Sequence, residues 1–441
     1  MHKRDHIAIV LMAVSAYIFL LLGMVMFNGE MLAYAVPFLV CLFAAFLQSP
    51  GKPAFQVTRT LSNTCVTQDV PVEVVLTIRN AGERIEECFV EDMLPAGLVL
   101  MKGDVRVAAR LAPGELLTLT YTVSAKRGSY AFRHTHIVAC EHLGLFRRRT
   151  LLDAPERLLV MPTQLRLRRV SIRPLQTRGY AGPVPARRGG PGVDFFGVRE
   201  YQPGDPQRWI NWRISARHTR SEVDTRLFTT EFEQERVADV GLILDARRRN
   251  DYHIGGRSLF EYSVSAAAAL SGAFLSDGNR VGLLIYGRGL EWTFPGYGKV
   301  QRKRVLRALA QAKTGDSLVF ESLDYLPTRF FPAKSQVVLI SPLCDDDPPM
   351  LSRLRSRGYQ VLVVSPDPLR FEVSCKESVS DNQDVAVALR LARLERQLLM
   401  RKLRSAGIAV VDWDVDAAFD QVVHAALGRL PLWFRTIGVG G

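Results

Sequence analysis

The sequence predicts a multi-domain protein: an N-terminal transmembrane α-hairpin, an all-β sandwich and a C-terminal α/β doubly wound domain. Three observations predict it. Two long uncharged runs open the chain, short alternating strand-like runs follow, and beyond residue 235 strand and helix patterns take turns. That last alternation belongs to a mostly parallel sheet covered by helices. At 441 residues the chain exceeds one ordinary hydrophobic core, so two or three domains are expected. The divisions read from the sequence are 1–52 for the hairpin, 53–165 for the β domain, 166–235 for a linker and 236–441 for the α/β domain.

Ile7 to Phe27 is 21 residues without a charge, enough at ~1.5 Å per residue to cross a ~30 Å hydrocarbon layer. Asn28-Gly29-Glu30 makes a polar turn, and Met31 to Leu47 is a second apolar run of 17 residues. A cleaved signal peptide has a shorter apolar core of ~7–15 residues, and no second span follows it at once. Lys3 and Arg4 precede the first run, Lys52 and Arg59 follow the second, and the loop between carries only Glu30. The positive-inside rule therefore predicts a two-pass protein of the inner (cytoplasmic) membrane, with its soluble domains in the cytoplasm. Cys41, Cys65, Cys88, Cys140, Cys344 and Cys375 are far apart and form no C-x-x-C pair. They read as reduced core thiols, not as a zinc module or a disulfide framework.

From Phe55 to about Thr163 the pattern is of short strands. Val70 to Asn80 ends at the turn Asn80-Ala81-Gly82, Leu94–Gly97 and Leu111–Gly114 are further turns, and Leu116 to Val123 is again strand-like. Strands at such intervals point to a sandwich. His134, His136, Cys140 and His142 are all even-numbered, so a continuous strand would put them on one face. Such residue types bind zinc, but spread along one strand they do not converge on one ion without a bend, and we expect no metal there.

The net charge of +13 is concentrated. Between Arg147 and Arg220 stand sixteen arginines, no lysine and five acids, a net of +11. An arginine-only belt favours bidentate pairing to carboxylate or phosphate. It fits an inter-domain neck paired with acids of the fold, a surface for anionic lipid or an acidic partner, or, as a lesser alternative, nucleic acid.

Within and beyond that belt, Gly189 to Glu235 mixes Arg199, Arg208, Arg213 and Arg217 with Phe195, Phe196, Tyr201, Trp209 and Trp212. Tyr201-Gln202-Pro203-Gly204-Asp205 reads as a turn. The spacing Arg199, Tyr201, Gly204, Asp205, Arg208, Ile210, Trp212, Ala216, Arg217 resembles the signature of the domain-of-unknown-function 58 family. The resemblance covers essentially the whole chain. It implies a von Willebrand factor A-like α/β domain after this block, and a MoxR-type AAA ATPase as working partner.

In the α/β domain the expected strands are Val237–Asp245, Arg280–Gly287, Leu290–Phe294, Gln336–Leu343, Tyr359–Val364 and Ile408–Trp413. The expected helices are Ser258–Leu275, Lys299–Lys313, Leu318–Leu326, Val385–Arg404 and Ala417–Leu427. The resemblance implies a divalent-cation site built on D-x-S-x-S after the first strand, with a Thr and a second Asp from later loops. Here Asp245 is present, Arg247 and Arg249 replace the serines, and Pro342 follows Ser341 where the second Asp is expected. Thr314 is the candidate for the loop threonine. Arginine offers a metal no lone pair and repels it, so the site reads as degenerate, with Arg247 free to pair with Asp245 and no metal or cofactor expected. The triplet Asp345-Asp346-Asp347 offers a substitute site, but three acids before Pro348-Pro349 read rather as helix-capping or solvated.

Catalytic grammar is missing. There is no P-loop, no G-x-S-x-G and no H-E-x-x-H, and Gly189-Gly190-Pro191-Gly192 reads as a turn. Glu200, Asp205 and Glu231 lie among arginines, which lower a carboxyl pKa, the wrong direction for a general acid. The sequence thus points to a membrane-anchored, non-enzymatic interaction protein, which the resemblance makes an adaptor of the ATPase, with a structural, lipid-binding membrane component as the alternative. The expected interaction surface is the rim Asp245, Arg247 and Arg249 beside the signature residues. The competing reading is that the signature block only fixes domain packing.

Overall fold

The structure is a computed structural model describing residues 7–47, 54–140, 147–163, 165–167, 184–218, 226–315, 317, 323, 326–327, 330–375 and 383–428. The chain divides into two compact units, Met1–Met161 and Pro162–Gly441.

The first unit opens with two apolar helices, α1 (Ile7–Val25) and α2 (Gly29–Leu47). They approach closely at Gly23, where a Cβ would stand 2.7 Å from the Leu32 side chain, and Phe19 stacks on Phe38 at 5.9 Å between ring centroids. The Asn28 side chain accepts a hydrogen bond from the Glu30 amide and so caps α2. α2 is long and apolar enough to cross a bilayer, and α1 is its apolar companion. Leu259–Ser276 passes the same test, but it is a buried core helix of the second unit.

Two sheets then share one core. Phe55–Leu61, Val72–Asn80, Leu116–Ala125 and Leu98–Lys102 form one, in that spatial order. Cys65–Thr67, Arg147–Met161, Gly128–Cys140, Ile85–Asp92 and Arg106–Leu111 form the other. Val74, Leu76 and Tyr121 meet Val90, Ile137 and Leu158 between them, as period-2 strands require. A charged knot lies inside: Arg59 forks onto Asp92, which also accepts from Tyr121 Oη at 2.6 Å and Thr135 Oγ1 at 3.2 Å.

Beyond a register shift between Phe132 and His134 the pairing runs unbroken to Cys140, so His134 and His136 share the face opposite buried Thr135, Ile137 and Ala139. His134 is paired with Asp153 at 2.6 Å. Cys140 is buried. His142 lies outside the described residues.

In the second unit a long antiparallel pair, Val184–Glu200 with Phe228–Arg236, carries the signature block. The glycine run 189–192, expected as a turn, lies inside this strand instead, among three register shifts. Glycine and proline tolerate such bulges.

A six-stranded sheet follows in the order Leu290–Gly296, Arg280–Tyr286, Asp239–Asp245, Gln336–Ile340, Gln360–Pro366 and Ala409–Trp413. All neighbours are parallel except the first pair. Asp239–Asp245 is buried along its whole length, because helices cover both faces of such strands. From this central strand the chain builds first to one side and then to the other, so the strand order reverses at its carboxyl end. Open α/β sheets hold ligands at that position. Two short helices, Pro348–Ser356 and Pro368–Cys375, go beyond the sequence expectation. Both begin at proline, whose fixed φ suits a first helical turn. The helix expected over Leu318–Leu326 falls largely outside the described residues.

Candidate functional site: an arginine in the strand-end cleft

The buried central strand delivers Asp245 to its carboxyl end, and the loop that follows folds Arg247 back over it. Arg247 Nε and Nη2 donate to Asp245 at 2.8 and 2.6 Å. Its Nη1 and Nη2 donate to Asp347 at 3.0 Å each. One guanidinium thus forks onto two carboxylates brought together from 102 residues apart. All three side chains are enclosed: Asp245 is 1% exposed, Arg247 2% and Asp347 0%. Planarity and five fixed donors let arginine do this where lysine would not.

The remaining acceptors are also used. Ser341 Oγ donates to Asp245 at 2.6 Å, and the Cys344 amide donates to Asp347 at 2.9 Å. Leu343 takes φ +66°, a strained value for a bulky residue, and its amide donates to Ser341 Oγ. Arg249 carries the network outward, to Asp347 Oδ1 at 3.1 Å and to exposed Asp346 at 3.0 Å. Burial pushes the Asp347 carboxyl up, against the pull of Arg247. Burial also works upward on Asp346, but its bond to Arg249 prevails and holds it below the ordinary range. Burial pushes the Cys344 thiol up to about 11, so it is not an activated nucleophile.

Next to this cluster the strand ends are closed by a second arginine. Arg396, on Gln383–Ser405, donates to the carbonyl of Pro342 at 3.1 Å, to Ser365 Oγ at 3.1 Å and to Asp412 at 2.7 Å. Thr314 donates to Asp251 at 2.7 Å and not to the Asp245 cluster. Cys344, Asp346 and Asp347 have ligand atoms within 4.8 Å of one another, but two of the three already hold guanidinium groups. Of the acidic triplet, Asp345 and Asp346 are exposed and Asp347 occupies the N-cap position of Pro348–Ser356, as expected, but it makes no side-chain capping bond, because its carboxylate is committed to Arg247. The rim is narrowed in the same way, since burial removes Asp245 and Arg247 from contact and leaves Arg249 and Asp346 as its exposed part.

The signature block makes a separate hub. Arg199 donates to Asp205 at 2.8 and 2.7 Å and to Glu231 at 2.7 Å. Gly204, at φ +111°, turns the chain so that Asp205 also accepts from the Gln202 amide at 2.9 Å. Tyr201 Oη donates to the Asp205 carbonyl at 3.2 Å. The bonds to Arg199 hold the Asp205 carboxyl below its ordinary value. Arg208, Trp212 and Arg217 are exposed, with Arg208 lying 5.8 Å from the Trp209 ring centroid.

Residues 197–373, from this hub through the strand-end cluster, match one family model. The match is to DUF58, a protein of unknown function. An uncharacterized Bacillus subtilis protein, YeaD, is 26% identical over 394 residues, covering 87% of this chain and 92% of that one. An uncharacterized Mycobacterium tuberculosis protein is 33% identical over 96 residues, which is 28% of its own length. Among solved structures, a CARDB domain from Pyrococcus furiosus gives a TM-score of 0.18 at 17% identity, covering 24% of this chain and 93% of that one. A FixG-related protein from Vibrio parahaemolyticus gives 0.17 at 14% identity, over 25% and 98%. At such scores these structures carry no argument about this chain.

Proposed function

We propose that the protein is a membrane-anchored adaptor whose von Willebrand A-like domain recognises a protein partner without a metal ion. The observation that carries this reading is the Arg247 guanidinium seated between Asp245 and Asp347 at the switch point of the sheet. A cation-dependent module would leave those oxygens open to bind a partner's carboxylate through the ion. Here an internal cation saturates them, and the exposed Arg249–Asp346 pair presents a mixed-charge rim. In this reading the apolar α1 and α2 anchor the chain by two passes, and the excess of Lys and Arg flanking them places the remaining domains on the cytoplasmic side. The partner in this reading is a MoxR-type AAA ATPase, which supplies chemical energy while this chain supplies location and recognition.

The test is crosslinking and affinity isolation of the full chain from native membranes, followed by mass spectrometry. An AAA ATPase recovered in a nucleotide-dependent manner, and lost with Arg249→Glu/Asp346→Arg, supports the adaptor. Envelope proteins recovered without an ATPase make the chain a structural membrane component and overturn it.

A further inference from the structure

The helix Gln383–Ser405 has two seams. One packs on the sheet through Leu399, Met400 and Leu403. The other faces solvent: Val387 is 61% exposed, Leu391 58%, Leu394 57% and Leu398 63%. Their spacing of four, three and four residues is the d-a-d-a pattern of a coiled-coil seam. The stripe is narrow, with Arg390, Arg393, Glu395 and Gln397 exposed beside it. A bilayer-embedded face is broader, with aromatic and apolar residues across half the helix.

The charges at the ends say what covers it. Asp384 stands three residues before Val387, and Arg401 three after Leu398, both exposed and on the same seam. Laid antiparallel on a copy of itself, about an axis between residues 392 and 393, the seam sets Val387 against Leu398 and Leu391 against Leu394. The same register sets Asp384 against Arg401 at both ends. Laid parallel, it would oppose Asp384 to Asp384 and Arg401 to Arg401. Opposite charges flanking an apolar seam select partner and orientation in this way.

We infer that this stripe is a self-association surface, on which two copies of the chain pair antiparallel about a two-fold axis. A two-fold interface uses one patch twice, and this patch is complementary to its own inverted copy.

The test uses the full chain in detergent micelles, with protein mass read by light scattering and sedimentation. The expected result is two copies. Leu391→Glu/Leu394→Glu should weaken association by at least ~30-fold, as for the centre of an interface, with circular dichroism unchanged because both residues are exposed. Asp384→Arg alone, or Arg401→Asp alone, should weaken it about fivefold, as for exposed pairs. The two together should restore it, and this reversal keeps the test informative if the leucine variant misfolds. A single copy at all concentrations overturns the inference. So does a dimer that survives the leucine variant, which is held elsewhere, or a double reversal that restores nothing.

Discussion

Among the described residues, each compact unit has one arginine fully buried on carboxylate, and the two sites differ in their charge balance. In the β-rich region Arg59 meets a single acid, Asp92, and the knot is neutral. Its other bonds, to Thr135 and the Ala154 carbonyl, tie together strands of both sheets, and its guanidinium lies 5.0 Å from the Phe132 ring centroid. At the strand ends of the α/β sheet Arg247 meets two acids, and the excess charge is drawn outward by Arg249. A neutral enclosed pair fixes register. An arginine between two carboxylates satisfies both with one planar set of donors. The same residue types therefore close a neutral pair in one place and, in the adaptor reading proposed above, stand in for a metal ion in the other.

The sharpest way to break that contrast is Arg247→Ala. It strips two buried carboxylates of their cation and should cost ~3–5 kcal/mol, the usual range for a broken buried pair. Asp245, Asp347 and Ser341 would then present oxygens around a vacated cation position, so millimolar Mg²⁺ or Ca²⁺ should recover part of the loss. Thermal unfolding of the detergent-solubilised chain, with and without the ion, reads both effects. A variant as stable as the parent, or a parent that itself gains from Mg²⁺, would refute the internal-cation account. Arg59→Ala should cost less, ~2–3 kcal/mol, because Asp92 keeps two hydroxyl donors, and no divalent ion should recover it. Recovery there would erase the distinction between the two sites.

Local pattern carried much of this fold and little of its pairing. The buried strands Asp239–Asp245 and Gln360–Pro366, the helix Leu259–Ser276 and the amphipathic Gln383–Ser405 are continuous or periodic runs, and period is readable along a chain. Asp347 was not readable, because its partner Arg247 lies a hundred residues away and nothing local marks the register that joins them. The Arg59–Asp92–Tyr121 knot escaped for the same reason, its members being 33 and 29 residues apart. Arg247 and Arg249, so close to Asp245 at a strand end, were the one legible clue to the buried cluster, since fixed positive charge there demands acids nearby.

Arg199 extends the comparison to the surface, since it also forks onto two carboxylates, Asp205 and Glu231, but is about a third exposed. The sign of its pH dependence follows from Asp205, whose folded pKa is depressed mainly by Arg199. A depressed carboxyl contributes stability above its unfolded value, ordinarily 3.8, and loses it as pH falls through the lower folded value. Pepsin cleavage within residues 199–218 should therefore stay slow at pH 4 and rise only below the ordinary aspartate range. In Asp205→Asn the acid-induced rise should vanish and cleavage be fast throughout. Fast cleavage of the parent at pH 4 would mean that the hub does not hold the block.

The smallest expected effect separates the two faces of the signature. Arg199 bonds to Asp205 and Glu231, and Tyr201 to the Asp205 carbonyl, which explains their types and spacing by folding alone. Trp212 has no such explanation: it is 66% exposed on the short helix Trp212–His218, with Arg208 and Arg217 exposed nearby. Large aromatics flanked by arginine are the side chains that anchor interfaces. Trp212→Ala should leave stability within ~0.5 kcal/mol, as for an exposed substitution, yet lower recovery of the partner in the affinity isolation. Unchanged recovery with lowered stability would assign the outer face to packing as well, and the signature would then be a fold determinant throughout.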